Sequence, residues 1–421
     1  MDRGGDRAGD YLAPSAVSAD LDHALQLDAD DPLASFRDRF VLPGPETVYL
    51  NGNSLGCLPR DALERLDEVV KGEWGTGLSR SWGSNWGELP LRIGDLLATG
   101  VLGAGAGDVV ATDSTTIGLY KLAWAALDAR PGRDVIVADV HDFPTDRYVL
   151  EGLAAARGAE IRWISSDPVE GPSVGDVESA LGGDVALVCV SHVGYRSGAI
   201  LDAAAVVGLA HEGGAMVLLD LSHSVGVLEI GLSDLGADLA VGCTYKYLSG
   251  GPGAPAFLYV RPDLQEELQQ PIWGWWGRRD SMAMGQGYER ADGISGYLGG
   301  SPAIIGLAVA EAGVRVVAEA GPAALRRKSV ALTEFAKSCF GAYLVPVGFR
   351  FGSPWPWERR GSHVSFRHAD GRELVQRLLK AGVVVDFRDP DSIRFGLAPL
   401  TTRFVDVYEG CRRLAELASE T

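Results

Sequence analysis

The residues best able to do covalent chemistry stand in two short runs. Leu218-Leu219-Asp220-Leu221-Ser222-His223-Ser224 is an apolar stretch ending in an acid with a histidine just beyond. Lys246 follows inside Gly242-Cys243-Thr244-Tyr245-Lys246-Tyr247-Leu248-Ser249-Gly250-Gly251-Pro252-Gly253. Only six of the 38 basic residues are lysines, so one inside a glycine-rich apolar stretch is conspicuous. An amine that ordinarily titrates near about 10.4 becomes a usable nucleophile when desolvated, and as an imine it can hold an aldehyde cofactor such as pyridoxal phosphate. That cofactor also needs a carboxylate against its pyridine nitrogen, which keeps the ring electron-poor. Asp220, at the end of an apolar run, is of the right type. Taken singly, Asp220 can be a turn cap and Lys246 a surface lysine; their joint setting points to chemistry.

Two more runs fit the same cofactor. Asp113-Ser114-Thr115-Thr116-Ile117-Gly118 follows one apolar run and opens a helical stretch through Leu127, and a helix N-terminus offers free backbone N–H groups to a phosphate. Ser and Thr also cap helices that bind nothing. His141-Asp142-Phe143-Pro144-Thr145-Asp146 follows another, where Phe143 could stack on a flat cofactor and Asp146 could meet its phenolic oxygen. Proline at the first helical position accounts for part of that pattern with no ligand.

The elements that must position these residues are short β-branched runs alternating with helical stretches. The runs are 108–112, 134–138, 161–164, 185–190, 215–220 and 254–260. This alternation predicts βαβ units and a mostly parallel sheet covered by helices, with ligands bound at the carboxyl ends of its strands. After about residue 310 the texture changes to an Ala-rich helix, strand-like runs around 361–366 and 383–385, and a final helix. The expected organisation is a flexible arm over 1–30 leading into a short helix before Asp31-Pro32, a large α/β domain over 31–310, and a small α+β domain over 311–421. Residues 31–60 are expected to pack near the small domain.

Composition narrows the function. With 46% apolar and 22% charged residues the chain reads as an ordinary globular protein, although 55 glycines promise many tight turns. A formal charge of −18 repels phosphate backbones and anionic membranes, so neither nucleic acid nor a membrane is an expected partner. No apolar run reaches spanning length and no secretory h-region is visible, which points to the cytoplasm. Five scattered cysteines without a CxxC pattern argue against a disulfide framework or a structural zinc site, and the histidines are too dispersed for a metal.

The chain resembles the kynureninase family, fold type I pyridoxal phosphate enzymes of the aspartate aminotransferase superfamily, from about Leu33 to Val407. The likeness rests on Tyr49-Leu50-Asn51-Gly52-Asn53-Ser54-Leu55-Gly56, Thr112-Asp113-Ser114-Thr115, Phe143-Pro144-Thr145-Asp146, Asp220 through Gly226, Tyr245-Lys246-Tyr247-Leu248 with 250–257, and Arg394-Phe395-Gly396 with Pro399-Leu400. The resemblance implies that Lys246 is the Schiff-base lysine and Asp220 the partner of the pyridine nitrogen, with His223 beside the ring and Phe143 stacked on it. It implies Asp146 near the phenolic oxygen, and Thr115, Thr116 and Tyr245 at the phosphate, with the Tyr245 hydroxyl a candidate proton relay. Trp275 and Ser301 match phosphate contacts from a neighbouring subunit, so a homodimer is implied. Arg394 matches the arginine that grips the substrate carboxylate, with Asn53 and Ser54 in the loop beside it.

The implied reaction is hydrolysis of the Cβ–Cγ bond of kynurenine, or of a 3-hydroxy or methylated kynurenine, to an anthranilate-type acid and alanine. Gly118, Gly194, Thr244, Arg278 and Thr401 depart from the family's usual residues, which leaves the accepted ring open. Trp82, four residues before Trp86, is either a substrate-side pocket wall or part of one packed aromatic face. His192 is either a site residue or a hydrogen-bonded structural histidine. The alternatives are a cysteine desulfurase or C–S lyase, which would need a reactive cysteine such as Cys339, and a catalytically silent protein of the same fold.

Overall fold

The computed structural model describes residues 18–420. Each apolar run read from the sequence is a strand, and they join one seven-stranded sheet. Its strands are β1 (Val109–Thr112), β2 (Val135–Asp139), β3 (Glu160–Ile164), β4 (Val185–Ser191), β5 (Met216–Asp220), β6 (Leu239–Gly242) and β7 (Ala256–Val260), in the spatial order β1-β7-β6-β5-β4-β2-β3. Strand β6 is the one that the pattern of runs left out. All neighbours are parallel except β7, which runs antiparallel to both β1 and β6.

The strands are continuous apolar runs because both faces are buried. Along β2, Val135 and Val137 enter one core, whereas Ile136 and Ala138 enter the other, as the two-residue period of a strand requires. The first core is closed by helices Leu89–Leu97 and Ile304–Ala320, the second by helices Thr115–Asp128 and Pro144–Arg157.

A second sheet is fully antiparallel. Its strands are β8 (Arg350–Phe351), β9 (His363–Arg367), β10 (Asp386–Arg388) and β11 (Ser392–Gly396), in the order β8-β9-β11-β10. It packs with helices Pro322–Cys339, Gly371–Lys380 and Phe404–Ser419 around a third core that includes Phe335, Phe366 and Phe395. Helix Ile304–Ala320, which spans residue 310, packs on helices Arg60–Asp67 and Leu89–Leu97 of the large sheet's side. On helix Pro322–Cys339, Leu325 still belongs to the large core, and the small core begins at Leu332.

Residues 1–17 of the expected arm lie outside the described residues. The short helix before Asp31-Pro32 is Leu21–Ala29, capped by Asp20, so the arm is structured well before residue 30. The reason is tertiary. Asp28 accepts hydrogen bonds from the backbone N–H groups of Phe404 (2.7 Å) and Val405 (3.1 Å), so this helix caps the C-terminal one. Val48–Tyr49 pairs in parallel with Val383–Val384, and Asn51 bridges to Gly396. The next turn brings Gly56 N–H to the Tyr245 carbonyl at 2.9 Å, tying the small sheet to the lysine turn.

Candidate active site

A cavity of about 140 Å³ opens at the carboxyl ends of β1, β2 and β5, where a parallel sheet is expected to bind its ligand. Lys246, Asp220, His223 and Tyr245 line it, together with Thr115, Thr116, Phe143 and Asp146. Residues far apart in sequence thus meet as the spacing and the resemblance anticipate.

Asp220 is the last residue of β5. Its Oδ1 accepts from Ser222 N–H at 2.8 Å, which fixes the carboxylate at the strand end. Lys246 Nζ lies 3.0 Å from His223 Nε2 and 5.8 Å from the Phe143 ring centroid. Burial, and then the Lys246 charge, pulls the His223 pKa well down, so the imidazole is neutral and its Nδ1 has no partner. Phe143 caps helix Pro144–Arg157 and leaves 37% of its surface open, a large exposure for an aromatic in a cavity wall.

Asp146, one turn later, is buried. Burial first, then repulsion from Asp220 and Asp142, pushes its pKa well up. Burial also raises the Tyr245 pKa, so its phenol keeps its proton. Ser114 caps helix Thr115–Asp128 by accepting from Ile117 N–H at 3.4 Å, so Thr115 and Thr116 present the first turn of that helix to the cavity.

These residues fit pyridoxal phosphate. An open aromatic face, an acid at a strand end, a second buried acid, a lysine amine and a helix N-terminus surround one cavity, and the neutral histidine beside the amine has an unpaired buried nitrogen.

Arg394 does not line that cavity. It lies on β11, is 1% exposed, and is joined to the cavity through Tyr195: Arg394 Nη1 donates to the Tyr195 carbonyl, and the Tyr195 ring meets Phe143 edge-on at 5.3 Å. The Nε/Nη2 edge of its guanidinium is held by Asp386, with Nε donating to Oδ1 at 2.6 Å and Nη2 to Oδ2. Ser54 Oγ donates to the same Asp386 at 3.1 Å. Asn53 is fully buried with neither side-chain oxygen nor nitrogen hydrogen-bonded.

Three expected residues stand apart from Lys246 within the chain. Trp82 and Ser301 line a separate apolar groove of about 620 Å³, and Trp275 packs on Trp82 with ring centroids 6.4 Å apart. Trp82 also meets Trp86 edge-on at 5.1 Å, so it both packs in an aromatic face and lines the groove. His192 differs from the expected hydrogen-bonded histidine: its Nδ1 is buried without a partner, and burial lowers its pKa to about 4.

Thr244, although next to Tyr245, is fully buried and donates to the Pro255 carbonyl at 2.6 Å, so this departure serves the backbone. Cys339, the candidate reactive cysteine, is fully buried in the small core at the end of helix Pro322–Cys339. Among the described residues no cluster of His, Cys, Asp or Glu could hold a metal ion, and no helix is long and apolar enough to cross a membrane.

Sequence reading missed four residues at the site. Asp142 is buried, accepts from Ser191 N–H at 3.2 Å, and has its pKa pushed up to about 7 by burial and Asp139. His363 on β9 lies 5.2 Å from His223, ring to ring. Tyr195 and Asp386 complete the set. The available signal for Asp386 was an acid on a short strand that folds back on the arginine's strand.

Fold and site together define a fold type I pyridoxal phosphate enzyme. A cysteine desulfurase from Thermococcus onnurineus NA1, solved in the apo form, superimposes with a TM-score of 0.77 at 20% identity, over 94% of this chain and 98% of that one. A mutant of C-DES with glycine covalently linked to its pyridoxal phosphate superimposes with a TM-score of 0.80 at 21% identity, over 90% of this chain and 99% of that one. The chain belongs to the kynureninase family. It is 43% identical to the kynureninase of Pseudomonas fluorescens over 93% of this chain and 94% of that protein. It is 42% identical to that of Burkholderia pseudomallei strain K96243, over 94% and 95%. The family pattern described as kynureninase C-terminal domain matches residues 325–414.

Proposed function

We propose that this protein hydrolyses the Cβ–Cγ bond of L-kynurenine or a ring-substituted kynurenine, releasing an anthranilate-type acid and L-alanine. One observation carries the reading: Lys246, Asp220, Asp146 and the Thr115–Thr116 helix start converge on a single cavity in a chain of the kynureninase family. Asp220 would hold the pyridine nitrogen, Thr115 and Thr116 the phosphate, Phe143 the ring face and Asp146 the phenolic oxygen. Pyridoxal phosphate, when bound, supplies an aldehyde for amines and a ring that takes up charge from the carbons next to the amine.

Lys246 supplies the amine and the base for the α-proton, and the neutral His223 at 3.0 Å can take a hydrogen bond from it. Water added at the substrate's γ-carbonyl weakens Cβ–Cγ, and Cβ needs a proton as that bond breaks. Tyr245, which keeps its proton, is the donor we assign to that step. Arg394, with Asn53 and Ser54, is the carboxylate grip.

The working unit in this reading is a homodimer in which Trp275 and Ser301 of one copy complete the phosphate site of the other; that neither lines the chain's own Lys246 cavity supports it. The burial of Cys339 weighs against a cysteine desulfurase or C–S lyase.

The test is product analysis with added pyridoxal phosphate, comparing L-kynurenine, its 3-hydroxy derivative and a ring-methylated one. Equimolar alanine and the matching aryl acid are expected. Absence of alanine from all three overturns the proposal, and the ranking identifies the ring.

A further inference from the structure

The carboxylate grip just assigned to Arg394 meets an obstacle in the structure itself. A guanidinium recognises a carboxylate through a pair of parallel N–H groups. In Arg394 the Nε/Nη2 pair is taken by Asp386 and Nη1 by the Tyr195 carbonyl, and the side chain is 1% exposed. The Nε/Nη2 fork is therefore closed to a substrate as long as Asp386 holds it. The arrangement is written into the sheet, because Asp386 on β10 stands directly across from Arg394 on β11.

Asp386 has somewhere else to go. Its Oδ2 already accepts from Ser54 Oγ at 3.1 Å and pairs with Arg388 Nη2 at 3.1 Å, two partners that Arg394 does not share. Arg388 lies two residues along the same strand with 31% of its side chain exposed, so it can follow the carboxylate. Beside this exchange point, Asn53 offers a buried amide with no partner, and a Cβ on Gly396 would lie 1.9 Å from its Oδ1. That amide packs against the β11 backbone at Gly396.

We propose that Asp386 is a placeholder for the substrate carboxylate: it fills the fork of Arg394 until an incoming carboxylate displaces it onto Arg388 and Ser54. The device makes Asp386 a specificity-determining residue. Only a ligand carrying a carboxylate can take its place on Arg394, whereas an amide or ester leaves the Asp386–Arg394 pair closed. The proposal rests on the reading of Arg394 as the carboxylate grip, and its test separates the two.

The test is calorimetric binding to the holoenzyme of a probe without an α-amine, 4-(2-aminophenyl)-4-oxobutanoate, against its primary amide. Neither can react with the cofactor aldehyde through an α-amine. Asp386→Asn removes the competing charge and keeps the shape, so the acid is expected to bind about tenfold tighter, the order set by one charge-assisted contact, with the amide unchanged. Arg388→Gln is expected to weaken the acid alone, because the displaced carboxylate loses its new partner. An acid affinity that is unchanged or weaker in Asp386→Asn overturns the placeholder, and Asp386→Ala serves as the second variant should the first not fold. If Arg394→Ala leaves the acid affinity untouched, the grip reading itself fails. If Arg394→Ala weakens the acid and Asp386→Asn weakens it too, the grip stands and Asp386 merely orients the arginine.

Discussion

Lys246 and Asp142 show how position sets the role of single side chains here. Lys246 is the only lysine in the cavity, and no other residue lining it carries an amine. Lys246→Ala should therefore lower turnover by at least about a thousandfold, within the range for loss of a positioned base, while circular dichroism and the melting temperature stay near those of the parent. Retained turnover would remove Lys246 from the reaction. Asp142 behaves differently, since its pKa stands near 7 in the folded chain against 3.8 for the free group. The folded state prefers the protonated acid, so this contribution to stability is complete below about pH 4, falls as pH rises, and is lost above about pH 7. Asp142→Asn removes that dependence. The melting temperature of the parent relative to the variant should fall between pH 4 and 7 and then level off; a flat difference would mean that Asp142 is not buried as a neutral acid.

Among the elements, the loop Asn51–Gly56 decides how the small sheet reaches the lysine. A Cβ on Gly56 would lie 2.3 Å from the Lys246 carbonyl and 2.8 Å from Ser249 Cα, both backbone, so nothing can yield cheaply. Gly56→Ala should cost about 1–3 kcal/mol of stability and lower kcat by shifting the lysine turn, which denaturant melts and steady-state kinetics would register together. Asp28→Ala strips the C-terminal helix of its borrowed cap and should cost about 1–2 kcal/mol with kcat unaltered, since helix Leu21–Ala29 does not reach the cavity. These two contacts also mark where sequence reading stops. The strands were legible because buried parallel strands are continuous apolar runs; Asp220 was legible because it ends one, and Lys246 because it is one of only six lysines and sits in a glycine-rich stretch. Strand β6, Leu239–Gly242, is four residues with two small side chains and carries little signal. Asp386 escaped for another reason: its role comes from the β10–β11 register, which pairs it with Arg394, and no local pattern encodes a register between two short strands. The short helix was visible in sequence, but its docking against residues 404 and 405 depends on a contact across nearly the whole chain.

At the scale of the whole molecule, Trp275 and Ser301 lie outside the lining of the cavity they are proposed to serve. Ser301 lines an apolar groove with Trp74 and Leu78, which are 55% and 58% exposed, an unusual amount of open apolar surface in a chain of net charge −18. A second copy covering this groove would bury those side chains and carry Ser301 to the phosphate end of the opposite cavity. The arrangement has a consequence that a self-contained site would lack. In a mixed dimer of Lys246→Ala and Ser301→Asp chains, both defects fall in one cavity, and the other cavity is built from two intact contributions. Each variant alone should be weak or inactive, Lys246→Ala for want of its amine and Ser301→Asp because its charge repels the phosphate. Co-refolding them in equal amounts should restore about a quarter of the parental activity, the share of intact cavities expected from random pairing. If mixing restores nothing while native mass spectrometry shows that mixed dimers form, each chain completes its own phosphate site and the groove is covered for some other purpose. If Ser301→Asp alone is fully active, Ser301 takes no part in binding the phosphate.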